Sequence, residues 1–117
     1  MHIDPVIQAL RKAQEDETRF SRVSPLLQKT IRSALSEFET IFRTFTEHAQ
    51  LGKVPGTERD REALSDYFNA LLQRLFVLET LGEQANSIGD ISNIAFSARL
   101  TASIMFKHEE SNNGHRN

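Results

Sequence analysis

The stretch that decides the fold begins at residue 25 and reads PLLQKTIRSALSEFETIFRTFTEHAQ, ending at about residue 50. Its apolar residues recur every three or four positions and fall within about 120° of a helical wheel, which predicts one amphipathic α-helix. They are Leu27, Ile31, Ala34, Leu35, Phe38, Ile41, Phe42, Phe45 and Ala49. At about 1.5 Å per residue, this helix would extend nearly 40 Å and form the spine of a small domain.

Short motifs mark where helices begin and end on both sides of this stretch. Ser24 followed by Pro25 is typical of a helix N-cap with proline at the first helical position, and Asp4 followed by Pro5 repeats the pattern. The second pair predicts an earlier helix from Pro5 to about Arg22. The turn-rich sequence GKVPGT at residues 52–57 ends the long helix.

A third helix is predicted from a cap at Thr57 to about Leu81. Its apolar arc is wider than one neighbouring helix can cover, because further apolar side chains stand on either side of the central stripe. The stripe contains Leu64, Tyr67, Phe68, Leu71, Leu75 and Leu78, and the flanking residues are Leu72, Phe76, Val77 and Leu81. Gly82 and Gly89 bracket a short connection, after which Asp90 is predicted to cap a fourth helix.

These elements predict an all-α fold, a small bundle of about four helices in which the long second and third helices run antiparallel. A chain of 117 residues suits one domain. We assign residues 1–107 to a single helical domain and residues 108–117 to a polar C-terminal tail, which we predict to be disordered.

Charge and composition disfavour several classes of function. Lys and Arg number 14 against 16 Asp and Glu, so the formal charge of -2 offers little attraction to nucleic-acid phosphates. The absence of cysteine excludes disulfides and thiolate metal sites. The N-terminus lacks the pattern of a secretory leader and no run of 18 apolar residues occurs, so we expect a cytoplasmic protein that does not enter a membrane.

The last predicted helix is apolar on two opposite faces. One face, with alanines at its centre, contains Ile91, Ile94, Ala95, Ala98, Ala102, Met105 and Phe106. Nearly opposite stand Phe96, Leu100 and Ile104, spaced four residues apart and therefore stacked on consecutive turns. Either the helix lies in the middle of the bundle, or the second face binds another chain together with Leu72 and Phe76. We favour the second alternative and expect a symmetric homodimer.

The sequence contains no recognisable catalytic, metal-binding or phosphate-binding motif. None of the four histidines has another histidine three or four residues away, and His48 near the end of the long helix suits the negative end of the helix dipole. GKVPGT lacks the order of a phosphate-binding loop. Carboxylates such as Glu39, four residues before Arg43, are explained by ion pairs along a helix. We therefore predict no enzymatic activity, no catalytic or cofactor-binding residues and no metal.

The pattern of the whole chain resembles the small all-helical antiactivators of quorum sensing. The resemblance covers the capped segment DPVIQALRKAQ, the long helix, the segment DYFNALLQRLFVLETLG and the two-faced helix that follows. It implies a helical dimer that binds the ligand-binding domain of a LuxR-type transcription factor and blocks its dimerisation and DNA binding. No functional residue is transferred from the family. Phe96, Leu100 and Ile104 are interface candidates because of their place on the wheel.

Two other functions remain open. A cytoplasmic chaperone for a secreted or assembly protein would also be a short, mildly acidic helical dimer. A DNA-associated regulator is disfavoured by the charge. The sequence does not identify the protein partner, the stoichiometry or the physiological trigger, nor does it say whether the two-faced helix serves self-association or target binding.

Overall fold

The computed structural model describes residue 8 and residues 22–115, with side-chain surroundings at residue 8 and residues 22–107. Residues 22–115 form three α-helices and contain no β-strand: α1 (Pro25–Gln50), α2 (Glu58–Leu81) and α3 (Ser87–His115). The all-α prediction is confirmed. The helix predicted from Pro5 to about Arg22 lies almost wholly outside the described residues, so this N-terminal helix stays a prediction.

Helix α1 begins and ends where the sequence predicts. The Oγ of Ser24 accepts a hydrogen bond from the backbone N–H of Leu27 at 3.2 Å, and Pro25 occupies the first turn. At the other end, the N–H of Gly52, a residue with φ 73°, donates to the carbonyl of Ala49 at 3.0 Å. The predicted stripe is buried from Leu27 to Phe42, Phe45 is half-buried, and Ala49 is exposed. Ala49, the last residue of the stripe, is exposed because it lies one residue before the end of the helix.

Helix α2 is closed at its start by a capping box. The Oγ1 of Thr57 accepts from the N–H of Asp60 at 3.1 Å, and the Asp60 carboxylate accepts from the N–H of Thr57 at 3.5 Å. Both bonds satisfy N–H groups that the helix itself leaves unpaired. The helix ends at Gly82, with φ 82°, as predicted. Its buried residues are Leu64, Phe68, Leu71, Leu75 and Leu78.

Helix α3 starts earlier and ends later than predicted. Asp90 does not cap it: the N–H of Asp90 already donates to the carbonyl of Asn86 at 2.9 Å, within the first turn. The Oγ of Ser87 accepts from the N–H of Gln84 at 2.8 Å, which lets the turn form before Gly89. The carboxylate of Asp90 instead approaches Arg74 of α2 at 3.8 Å. At its end the helix runs through His115, so it includes residues 108–115 of the segment assigned to the tail.

The core lies between α3 and the other two helices. Helix α3 packs closely against both α1 and α2, and small residues make this approach possible because Ala98 and Ala102 are buried there. Helices α1 and α2 meet through aromatic rings. Phe68 lies 5.5 Å from Phe38 and 5.3 Å from Phe42 between ring centroids, the second pair edge to face.

Two contacts outside the helices hold the ends of the bundle together. The Glu83 carboxylate accepts from the N–H of Ser24 at 2.8 Å and from its hydroxyl at 3.2 Å, which joins the start of α1 to the residue after Gly82. Gly56, with φ 71°, lies against α3 so closely that a Cβ there would stand 2.6 Å from the Cγ of the buried Met105. Only glycine fits this position.

Candidate functional site

The outward face of α3 carries three large apolar side chains, which we call the outer stripe: Phe96, Leu100 and Ile104. They are exposed by 51%, 49% and 62% respectively. They stand four residues apart and so lie on consecutive turns of one helix face. The structure therefore leaves exposed the face that the sequence analysis singled out, and its binding to another chain stays a prediction.

The opposite face of α3 is the part that folds the subunit. Ile91, Ala98, Ala102 and Met105 are buried, and Ile94, Ala95 and Phe106 pack against the same core. The inward placement of the alanine face is confirmed. Of the two apolar sides of this helix, only the inner one packs against α1 and α2.

Leu72 and Phe76 of α2 are exposed, by 41% and 64%, but they do not extend the outer stripe. At 100° per residue they lie about 40° and 80° to one side of Phe68, which contacts α1. Arg74, on the other side of Phe68, is the residue that meets α3 through Asp90. The five predicted interface residues therefore form two separate surfaces, one on α3 and one on α2.

An open groove runs beside the outer stripe, between α1 and α3. Its first part, of about 530 Å³, is walled by Leu26 on α1 and Phe96 on α3, and buried Ala34 lies on its floor. Its second part, of about 380 Å³, is lined by residues such as Ile41, Ala102 and Phe106. We call both parts together the α1–α3 groove.

Arg99 stands where the two parts of the groove meet and lines both of them. Its guanidinium carbon lies 5.4 Å from the centroid of the Phe96 ring, a cation–π distance. Its Nε lies 3.9 Å from a carboxylate oxygen of Glu37 on α1, the outer limit of an ion pair. Arg99 therefore spans the groove while half of its side chain remains in solvent.

The part of the groove formed by Leu26, Glu37 and Arg99 was not predicted from the sequence. A signal for Leu26 was present, because adjacent leucines at positions 26 and 27 point about 100° apart on a helix and Leu27 already belongs to the buried stripe. Leu26 had to face elsewhere. No comparable signal marks Arg99 or Glu37, since their approach depends on how α1 and α3 pack.

The other candidate sites have structural explanations. The His48 ring stacks on Phe106 with 5.1 Å between centroids. In the turn at residues 52–57, the Arg61 guanidinium donates to the carbonyls of Pro55, at 3.1 Å, and Gly56, at 2.8 Å, so this side chain holds the turn in shape. Within the described residues no three His, Cys, Asp or Glu side chains are grouped to hold a metal ion.

None of the described helices is both long enough and apolar enough to cross a bilayer. Among the described residues, the candidate docking surfaces are the outer stripe, the α1–α3 groove and the exposed pair on α2. Comparison with models of protein families, with curated proteins and with solved structures finds no match to this chain.

Proposed function

We propose that the protein is a non-enzymatic interaction module that works by docking the outer stripe of α3 on another polypeptide. One observation carries the proposal: Phe96, Leu100 and Ile104 stand exposed on consecutive turns of a helix whose opposite face packs against the core. Large contiguous apolar surface on a small domain is typical of an interaction site.

The energetics require more surface than the stripe alone. Burying three such side chains completely is worth about 5 to 9 kcal/mol, and roughly half of that is already gained in the folded subunit. Association costs an estimated 4 to 15 kcal/mol in lost translational and rotational freedom. The adjoining α1–α3 groove, with Leu26 on its far wall, is the nearest source of additional area.

The spacing of the stripe also supports a homodimer. Phe96 and Ile104 are equally distant from Leu100, so an antiparallel pair of α3 helices centred on Leu100 would set Phe96 of one copy against Ile104 of the other. In the same pairing Lys107 would face Asn93 and Arg99 would face Thr101, so neither cation of residues 91–107 would directly oppose another cation. Self-association and target binding then compete for, or share, this face.

The resemblance to quorum-sensing antiactivators gives the proposal its specific form. The target would be the ligand-binding domain of a LuxR-type transcription factor. Covering the apolar surface that such a factor needs for its own dimerisation would shift its population toward an inactive complex, which is stoichiometric inhibition without any chemical step.

The open α1–α3 groove favours a second candidate, a chaperone for a secreted or assembly protein. A groove lined by two helices can hold an amphipathic segment of a client until assembly. The two functions differ in the protein that is captured and in the surface that captures it: the antiactivator would use the outer stripe, and the chaperone would use the α1–α3 groove beside it.

A pair of leucine variants tests the proposal. We expect Leu100→Asp to keep the helical circular dichroism signal and to lose both self-association in light scattering and recovery of the partner from native lysate. Leu81→Asp makes the same change at an exposed leucine outside the stripe, and it should retain both. A recovered LuxR-type factor supports the antiactivator and a secreted substrate supports the chaperone.

Two results would contradict the assignment. If Leu100→Asp binds and self-associates as the wild-type protein does, the outer stripe is not the docking surface. If Leu100→Asp unfolds while Leu81→Asp does not, Leu100 belongs to the core.

A further inference from the structure

We infer that the α1–α3 groove binds an amphipathic helix of a different protein, and that the flanks of this helix carry Asp and Glu side chains. The inference rests on the proposed function, since it takes the protein to be an interaction module, and it adds the chemistry of the partner. Length, floor and charge of the groove support it.

The groove has the dimensions of a helix-binding site. Its lining on α1 runs from Leu26 to Thr44, a rise of about 27 Å at 1.5 Å per residue, which matches some five turns of a bound helix. Its floor contains the small residues Ala34, Ala95 and Ala102. Small side chains on a floor let another helix come near the 8–10 Å separation of packed helices.

Two of the hydroxyl groups that line the groove are already used within α1. The hydroxyl of Thr30 donates to the carbonyl of Leu26 at 2.9 Å, and the hydroxyl of Thr44 donates to that of Thr40 at 2.9 Å. These hydroxyl hydrogens are satisfied within α1, so they are not donors for a polar ligand. The walls keep apolar anchors at Leu26 and Phe96.

The charge of the groove is opposite to that of the chain. Its lining contains Lys29, Arg99 and Lys107 against the single carboxylate of Glu37, whereas the whole chain has a formal charge of -2. The cations are spread along the groove, from the Leu26 end to the end of the second part. A partner helix with carboxylates on its flanks would meet one of these cations every few turns.

Arg99 is the cation best placed to form an ion pair with such a partner. Its separation of 3.9 Å from Glu37 is long for an ion pair, and 59% of its side chain is exposed. A carboxylate on a bound helix can take over the guanidinium at a shorter distance, while Phe96 beneath it packs against an apolar anchor.

A second copy of α3 does not suit the groove. Residues 91–107, which carry the outer stripe, include Arg99 and Lys107 and no Asp or Glu. Placing this segment beside Lys29 would bring like charges together. The groove is therefore better matched to a different, acidic helix, and the homodimer is left to the stripe.

Two synthetic peptides test the inference on the full-length protein. Both are labelled amphipathic helices of about five turns with the same leucine stripe, one with glutamates and the other with lysines at every flanking position. In fluorescence anisotropy we expect the acidic peptide to bind about tenfold more tightly than the basic one. The difference should shrink as salt is raised, because exposed charges are screened.

Charge reversal locates the site. Arg99→Glu should weaken binding of the acidic peptide about tenfold and strengthen that of the basic peptide, and Lys29→Glu should act in the same direction at the other end. Arg59→Glu changes the net charge of the protein equally at an exposed position of α2 outside the groove. It should leave both affinities within about twofold of wild type, since screening limits distant charges. Circular dichroism checks the fold of each variant.

The inference is overturned if the two peptides bind equally well, if neither binds, or if Arg59→Glu matters as much as Arg99→Glu. The proposed function fails separately. If the peptide results are negative while Leu100→Asp still abolishes recovery of the partner, the docking surface stands and only the groove assignment is lost. If Leu100→Asp also has no effect, both are lost.

Discussion

Helices α1 and α3 both carry a dense set of apolar side chains, but they use them differently. In α1 nearly all of them lie on one face and are buried, and Leu26 is the one large apolar side chain that is exposed. In α3 the inner face packs against the core, with four of its residues buried and three half-buried, while Phe96, Leu100 and Ile104 are exposed. Folding accounts for the sequence of α1, and it accounts for only one side of α3.

The exposed apolar side chains of α3 are unfavourable for an isolated subunit. Exposed large apolar side chains add little to the stability of an isolated subunit and raise the risk of aggregation. We expect a polar residue at Leu100 to be compatible with the fold, because about half of this side chain is already in solvent. The exposed outer stripe is therefore the feature that the proposed docking role would explain, and the following mutations compare the two helices.

The largest effect is expected from truncating equivalent aromatic residues on the two helices. Phe38→Ala should lower the free energy of unfolding by about 3–5 kcal/mol, because the fully buried ring packs against Phe42 and Phe68. Phe96→Ala should cost about 1 kcal/mol or less, most of it the contact with Arg99. Urea denaturation followed by circular dichroism measures both. Equal losses would mean that the outer stripe is part of the core.

A second pair of variants tests how tightly the inner face of α3 is closed. Gly56→Ala should cost about 2–4 kcal/mol, because the positive φ is strained for alanine and the new Cβ would collide with Met105. Gly52→Ala has a similar φ but no atom within 4 Å of the new Cβ, so it should cost only about 1–2 kcal/mol.

The difference between the two glycine variants isolates the contact with α3. If both lose the same stability in urea denaturation, the loop after α1 does not press on Met105. The inner face of α3 would then be looser than its burial indicates.

Local signals explain why much of this fold was predictable from sequence. The caps at Ser24 and Thr57 and the glycine at position 82 fix the ends of α1 and α2, and each acts within a few residues of the chain. The start of α3 was mispredicted because Gly89 and Asp90 resemble a break and a cap. A hydroxyl earlier in the chain, that of Ser87, had already formed the turn.

The candidate surface was predictable only in part, because some of it depends on how the helices pack against one another. Periodicity along one helix identifies Phe96, Leu100 and Ile104 as facing away from Ala98. It does not show that Leu72 and Phe76 face elsewhere, because that depends on which flank of α2 meets α3. The approach of Arg99 to Glu37 likewise joins residues 62 positions apart, and only the packing of α1 on α3 creates the groove between them.

The smallest effect is expected from enlarging an alanine on each helix, and it tests whether the alanine face of α3 is the reason for the close packing. Ala98→Leu should destabilise the protein by about 1–3 kcal/mol, because Ala98 is fully buried where α3 approaches its neighbours and extra methyl groups must push them apart. Ala49→Leu makes the same change at an exposed position of α1 and should stay within about 0.5 kcal/mol of wild type. A tolerated Ala98→Leu would show that space remains at the centre of the bundle. The small residues on α3 would then not be required for its packing against two helices at once.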